Sequence, residues 1–588
     1  MKSLLKIFFN SRRNPPPTPA SGGQDLSFLA ENLSCKGGIC PPLAEVSRSF
    51  AAGRRWNILF LTVTIFLCSL QSFSQGVGNE EVIVVKEYEA TIQDAQKVNI
   101  QPNIPEVEET KPMLTYSVPA KDYKDIPFEA NPLKPLSMSK EKLEKYNTSF
   151  IKIGFGSQLM PLAQLAYNDN KTKNLKFGIF YNHLSAREFK KEKNQRFSDD
   201  EAGVYLKYFP KTFEVGTNFT FRNYRTHFYG TDSSYEAKNV RQVFRTYDAD
   251  VHFKNAQRNK AEVDVSQNIH FNYLQEIFGK ASEWYVGGNT DFKKSFKKFH
   301  SASFKFFFDV SKLKNDSLTL QRTIFTPTVG YAFNNDDWKA HGYFGIAVDG
   351  KNPVFACDVH VEKRLYEHSI IAYINYNHNI KKNSLLSYSQ MNSFIQNSVS
   401  IKNSTVGDFG AGFKGTAQNF SYNVAFHLIH VVNLPLFVND TLDTKRFRVI
   451  YDASALVYNV HFEGGYNVKE WLRLSLSGDY NYYALKTEKR AWHQPAFKTA
   501  LRVNYIWKNK ISVNLDVFGI TAAYAKLADG KEKQLKGTAD INLSAEYIMN
   551  KHISFFGSLN NIANFKYQPW NNYPSYGISG MIGAKFSF

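Results

Sequence analysis

From about residue 149 to the C-terminus, apolar and polar residues alternate with a period of two, segment after segment. In 471–482, Leu472, Leu474, Leu476, Gly478, Tyr480 and Tyr482 share one face, while Arg473, Ser475, Ser477, Asp479 and Asn481 share the other. Successive side chains of a strand point to opposite sides, so each such segment predicts a β-strand between two environments. In 540–547, Ile541, Leu543, Ala545 and Tyr547 oppose Asp540, Asn542, Ser544 and Glu546; in 511–518, Ile511, Val513, Leu515 and Val517 oppose Ser512, Asn514 and Asp516. The last strand sets Ile578, Ile582, Ala584, Phe586 and Phe588 against Ser579, Lys585 and Ser587.

Alternation alone also fits a soluble sandwich or propeller with one wet face. Here the strands end in Tyr, Phe and Trp, and short polar turns (508–510, 549–551, 334–337) alternate with longer loops (224–240, 377–404, 485–495, 561–575). That is the layout of a membrane barrel, with aromatic girdles, short periplasmic turns and long external loops. Counting back from Phe588 gives about 22 strands, the first at 149–157, with both ends on the periplasmic side. An open edge in lipid would leave backbone groups unpaired, so the sheet is expected to close. The expected fold is all-β: a transmembrane antiparallel up-and-down β-barrel preceded by a disordered or extended periplasmic segment.

The residues ahead of the barrel read differently. Arg54-Arg55, the apolar stretch 57–70 and the small residues Ser72 and Ser74 make a signal peptide cut before Gln75. The stretch is too short for a membrane anchor, and Leu67 before Cys68 does not fit a lipobox. The chain therefore divides into an N-terminal extension with signal peptide (1–74), a periplasmic linker (75–147) and the barrel (148–588). Residues 1–53 are either an over-called start or an unusually long n-region. The linker is rich in Pro, Glu and Lys and buries little apolar area, except for the β-prone run Glu81, Val82, Ile83, Val84 and Val85, a segment suited to adding a strand to another protein's sheet.

Composition narrows the function classes. Aromatic residues make up 15% of the chain, with 49 Phe and 33 Tyr, yet no apolar run reaches the 20 or so residues of a spanning helix. The formal net charge of +19 is spread along the chain rather than clustered in a stripe, which argues against nucleic acid as partner. Of the four cysteines only Cys357 lies beyond the predicted cut, so no intramolecular disulfide is expected, and Cys35 and Cys40 lack partners at zinc-site spacing.

No enzyme chemistry is expected: no catalytic, cofactor-binding or metal site emerges. Ser579 lies among glycines but in the closing strand, not on a strand-turn-helix elbow, and Gly154-Phe155-Gly156 is followed by no further glycine or helix. Asp479, Asp516, Asp540 and Glu546 fall on the lumen face and read as solvated wall charges. His493, beside Trp492 in an external loop, either meets a ligand or packs the loop. Tyr224, His227, Phe228, Tyr229 and Tyr235 crowd another loop, where they either stack on a glycan or partner or pack on one another. Trp570 in the last loop joins these candidate contacts. The basic loop 187–200, with Arg187, Lys190, Lys191, Lys193 and Arg196, either touches anionic lipopolysaccharide or is merely solvated.

The C-terminal hairpin, with Asn560-Asn561-Ile562, Tyr567, Tyr573-Pro574, Gly577 and the terminal Phe588, resembles the last hairpin of TonB-dependent receptors. Ala491-Trp492-His493-Gln494-Pro495, Trp570-Asn571-Asn572-Tyr573-Pro574-Ser575, Gly154-Phe155-Gly156 and Val84-Val85-Lys86 are similar to motifs of a plug-less, TonB-receptor-like barrel family of Bacteroidota. The resemblance spans residues from about Val82 to Phe588. It implies an outer-membrane location, lipid and lipopolysaccharide as surroundings, Phe586 and Phe588 as a barrel-closing signal for the barrel-assembly machinery, and a TonB contact through 81–85. Only about 70 residues stand where a receptor carries its plug. Two functions follow: transport of a solute across the outer membrane, or a non-transporting scaffold in an outer-membrane assembly.

Overall fold

The computed structural model describes residues 149–588, apart from 170–171, 173, 189–193, 231–239, 256–260, 368 and 398–399. The signal peptide, the linker and the 81–85 run lie outside the described residues.

Alternating side chains give 22 strands in one antiparallel sheet, each paired with its sequence neighbours. The sheet closes because the first strand, Phe150–Gly156, pairs on one side with Met160–Asp169 and on the other with the last, Ser579–Ser587. At this seam Phe150 lies opposite Ser587 and Ile151 opposite Phe586, and the Phe588 amide donates to the Ser149 carbonyl at 2.9 Å. Closure leaves no unpaired edge. The strand count read from the sequence agrees with the fold. No helix among the described residues is long and apolar enough to cross a membrane.

The pleat sorts the wall as expected. Ile153, Phe155, Ile179, Val204, Phe219, Ile346, Ile374, Leu476 and Ile582 are exposed on the outside. The inside carries paired charges: Arg222 with Asp199, Arg502 with Asp516, Lys414 with Glu362, His427 with Asp408, and His461 with Asp479. The end that holds both barrel termini has tight turns, such as 508–510, where Lys508 and Asn509 take left-handed φ of 48° and 54°. The other end carries the long loops.

One part of the wall is taller. Most strands run 10 to 16 residues, but Phe420–Asn439 has 20 and Phe447–Lys469 has 23. Their hairpin rises past the loop end, and residues 434–439 are buried throughout. Leu434, Leu436 and Val438 pack on Val457 and Trp492, whereas Phe437 packs on the opposite side with Tyr388 and Trp570. Burial on both faces explains why Val431–Val438 reads as a near-continuous apolar run instead of an alternating one.

Candidate functional site: a loop lid over the barrel mouth

At the loop end, the described parts of three connections meet: 228–230, 382–397 with 400–403, and 561–578. The middle one is the most built. Asn383 bonds to Lys402 and Ser404, and Ser384 caps the helix Leu385–Met391 with a reciprocal pair of bonds to Ser387. Two inward-facing wall groups fix it in place. Buried Glu283 accepts the Leu386 amide at 3.1 Å and the Arg322 guanidinium at 3.2 Å, so a carboxylate sits at the positive end of the helix. Lys382 reaches Asp309 at 2.5 Å and lies 3.5 Å from the Tyr285 ring. Burial draws the Lys382 ammonium below its ordinary range, against the attraction of Asp309.

Above these anchors the loops share one apolar cluster. Phe228, Leu385, Tyr388, Phe394, Ile395, Phe447 and Tyr573 are at most 7% exposed. Tyr573 stacks on Phe394, and Tyr229 meets the edge of Tyr573 at 5.1 Å. Fully burying an aromatic ring is worth about 2–3 kcal/mol, so a cluster of this size holds the loops as one body. Two polar groups inside are paired: the Tyr573 hydroxyl donates to the Lys445 carbonyl at 2.6 Å, and the wholly buried Lys445 ammonium donates to the Tyr229 carbonyl at 2.7 Å. Gln195 donates to the Pro574 carbonyl at 2.9 Å, and the Tyr576 hydroxyl donates back to the Gln195 carbonyl at 3.0 Å. Burial raises the hydroxyl pKa of both Tyr567 and Tyr576.

His493 lies where the taller hairpin meets the last loop. The Phe437 carbonyl can only accept, so Nδ1, 3.0 Å away, carries the proton, and Nε2 accepts the Asn571 amide at 3.3 Å. Burial pulls the imidazole down to about 4 from its usual 6.5, so it is neutral at physiological pH. The ring packs on Trp570 at 5.1 Å and on the edge of Phe447 at 5.5 Å. Neighbouring Trp492 is 2% exposed and donates to Glu488 at 2.9 Å, and Glu488 in turn pairs with Lys526 of the two-stranded hairpin 523–526/532–535.

The sequence-picked aromatic residues therefore divide. Tyr229, Trp492, His493 and Trp570 belong to the packed loops, and Tyr224 joins the cluster from the inner wall. His227 does not. The loop expected at 224–240 begins only at 228, because Phe213–His227 stays paired to Arg241–Asn255; the pleat turns Tyr224 inward and His227 outward. Likewise strand pairing continues to Lys381 before the loop expected from 377, and resumes at Arg196 within the stretch expected as the loop 187–200. In each case cross-strand pairing extends further than turn residues suggested. Tyr235, Lys190, Lys191 and Lys193 lie outside the described residues. Phe586 and Phe588 stack at 5.8 Å at the barrel seam. Of the four lumen acids, Asp479 pairs with His461, Asp516 with Arg502 and Glu546 with Ser554, while one oxygen of buried Asp540 has no hydrogen-bond partner among the described residues.

Beneath the lid, Tyr285, Asp309, Lys382, Ser384, Leu386 and Gln390 line a cleft of about 290 Å³. A larger groove of about 600 Å³ at the other end is lined by Tyr547, Phe555 and Ile582, which are exposed on the outer wall, and has no such polar set. Among the described residues no group of three or more His, Cys, Asp or Glu is placed to hold a metal ion. The lid anchors, Glu283, Arg322, Lys382 and Asp309, were not singled out by sequence; their shared inward face was the one available signal.

No protein-family model matches the chain, and no curated protein matches it in sequence. Solved structures do. The apoprotein of the FrpB iron transporter from Neisseria meningitidis superimposes with a TM-score of 0.62 at 11% identity, covering 76% of this chain and 82% of that one. The siderophore receptor PirA from Acinetobacter baumannii gives 0.59 at 8% identity (76% and 81%), and the copper transporter OprC gives 0.58 at 10% identity (76% and 81%). Identity this low speaks for architecture, and the chain shares its barrel fold with these transporters and receptors.

Proposed function

We propose that this chain is an outer-membrane protein that passes a solute across the outer membrane in the manner of a TonB-dependent receptor, with the loop lid as its external gate. The observation that carries this reading is a closed barrel, apolar outside and charged inside, whose external mouth is covered by loops anchored to the lumen wall. The fold shared with iron, siderophore and copper proteins supports it. Glu81, Val82, Ile83, Val84 and Val85 would engage TonB by strand addition. Outer-membrane lipid and lipopolysaccharide surround the wall, and the barrel-assembly machinery inserts it. The lumen pairs charges of both signs, so it selects neither anions nor cations by charge alone. The plug-less resemblance to a Bacteroidota barrel family fits the short linker.

A second reading, a non-transporting scaffold, is favoured by one observation: the lid is packed as a core and not as a loose loop set. Planar-bilayer conductance separates the two. The processed chain from Gln75, the same chain without 76–146, and a lid variant are compared. Current in the deletion or the lid variant supports a gated pore. No current in any of them, together with stable co-purification of envelope partners, supports the scaffold.

A further inference from the structure

The outer wall carries a basic patch just above one arc of its apolar band. Tyr181, Phe221, Tyr247 and Tyr273 form an aromatic row across five strands, with Phe221 and Tyr247 rings 5.0 Å apart. Towards the turn end follow exposed Ile179, Val204, Phe219 and Phe271, and then a second aromatic group of Tyr208, Phe213 and Phe253. Eight residues of tilted strand separate Phe213 from Phe221, roughly 20 Å of height, close to the apolar band of an outer-membrane barrel.

Towards the loop end the same outward face turns basic. Arg187 lies directly opposite Arg196, and His227 directly opposite Arg241. Arg225 and Arg245 stand in the rows between these and the tyrosines. Asp200 is the acidic side chain in these rows, held by Arg225 at 2.8 Å and His183 at 2.6 Å. Arg196 Nε, Arg225 Nε and His227 Nδ1 are buried with no hydrogen-bond partner among the described residues. Guanidinium forks with free N–H groups suit phosphate oxygens.

We propose that this patch binds the phosphate groups of an anionic glycolipid in the outer leaflet. The position commits it to a lipid: an anion seated on Arg225 and Arg245 lies directly above tyrosines and an apolar wall, where acyl chains continue downward. The inference rests on the outer-membrane reading but not on transport.

The test uses the full processed chain in detergent, titrated with bisphosphorylated lipid A, with dephosphorylated lipid A and with inorganic phosphate, and followed by native mass spectrometry. The wild type is expected to bind the phosphorylated lipid at least tenfold more tightly than the dephosphorylated one. R225A/R245A is expected to lose about tenfold for the phosphorylated lipid only, and R225K/R245K to lose less; R241A, at an exposed strand end, serves if the double variant does not fold. Equal affinity for both lipids, unchanged affinity in the alanine variants, or full displacement by millimolar inorganic phosphate overturns the proposal. Heat-modifiable gel migration of the same samples reports the membrane-barrel reading separately.

Discussion

Tyr573, in the last loop, lies flat against Phe394, in the loop 382–403, with ring centroids 3.5 Å apart and planes 12° apart. These two residues join segments that the sheet itself never pairs, so the contact measures whether the lid is shut. Truncating a buried aromatic costs about 3–5 kcal/mol, here confined to the lid because the strands keep their own ladders. Tyr573→Ala is expected to give bilayer current where the wild type gives none or less, with unchanged heat-modifiable migration. A fall in barrel stability without new current would show that Tyr573 supports the wall and not a gate.

Gly230 makes the second contact between loops. Its φ is 100°, and a Cβ there would fall 1.9 Å from the Asn572 carbonyl oxygen. Both the left-handed backbone and the close approach demand glycine. Gly230→Ala should cost the lid at least about 1–2 kcal/mol. Limited proteolysis at 228–240 is expected to quicken about tenfold, the change that 1.4 kcal/mol of local opening produces. Unchanged cleavage would mean that the two loops do not depend on each other.

His493 makes the lid acid-sensitive. An imidazole freed by opening takes a proton near 6.5, whereas the buried one resists until about 4. Between those values the open state binds more protons, so the closed lid is fully stabilised above 6.5 and weakens as pH falls towards 4, by roughly 3 kcal/mol in total. Hydrogen exchange at 491–495 and 568–573 should rise over that window in the wild type and much less in His493→Gln. Identical pH profiles would remove His493 as the cause.

Glu283 is 1% exposed and Arg322 only 9%, 3.2 Å apart. Arg322→Met leaves a buried carboxylate without its charge partner, a change that costs about 3–5 kcal/mol in comparable sites. Exchange protection over 382–397 should drop strongly. Adding Glu283→Gln should restore part of it, because the amide oxygen still accepts the Leu386 amide without carrying charge. Equal losses in the single and double variants would show that geometry, not charge burial, sets the anchor.

Alternation along single segments, such as Leu472 to Tyr482 or Ile511 to Val517, was enough to assign strands, faces and the approximate strand number. A strand's two faces are a local property with a fixed period, and closure follows because the edges must pair. The lid was legible only as a set of aromatic loops. Nothing in the order of residues says that Phe394 meets Tyr573, that Lys445 lies under Tyr229, or that His493 bridges Phe437 and Asn571. Those contacts depend on how far each strand rises before it turns: pairing that runs on to His227 and Lys381 divided the aromatic loop residues between lid and outer wall. Likewise Arg187, Arg196, Arg225, Arg241 and Arg245 come together only through cross-strand register. The chain's periodicity thus decided the barrel, while register and loop folding decided what its mouth and outer rim present, because the first is written in neighbouring residues and the second in distances that only closure creates.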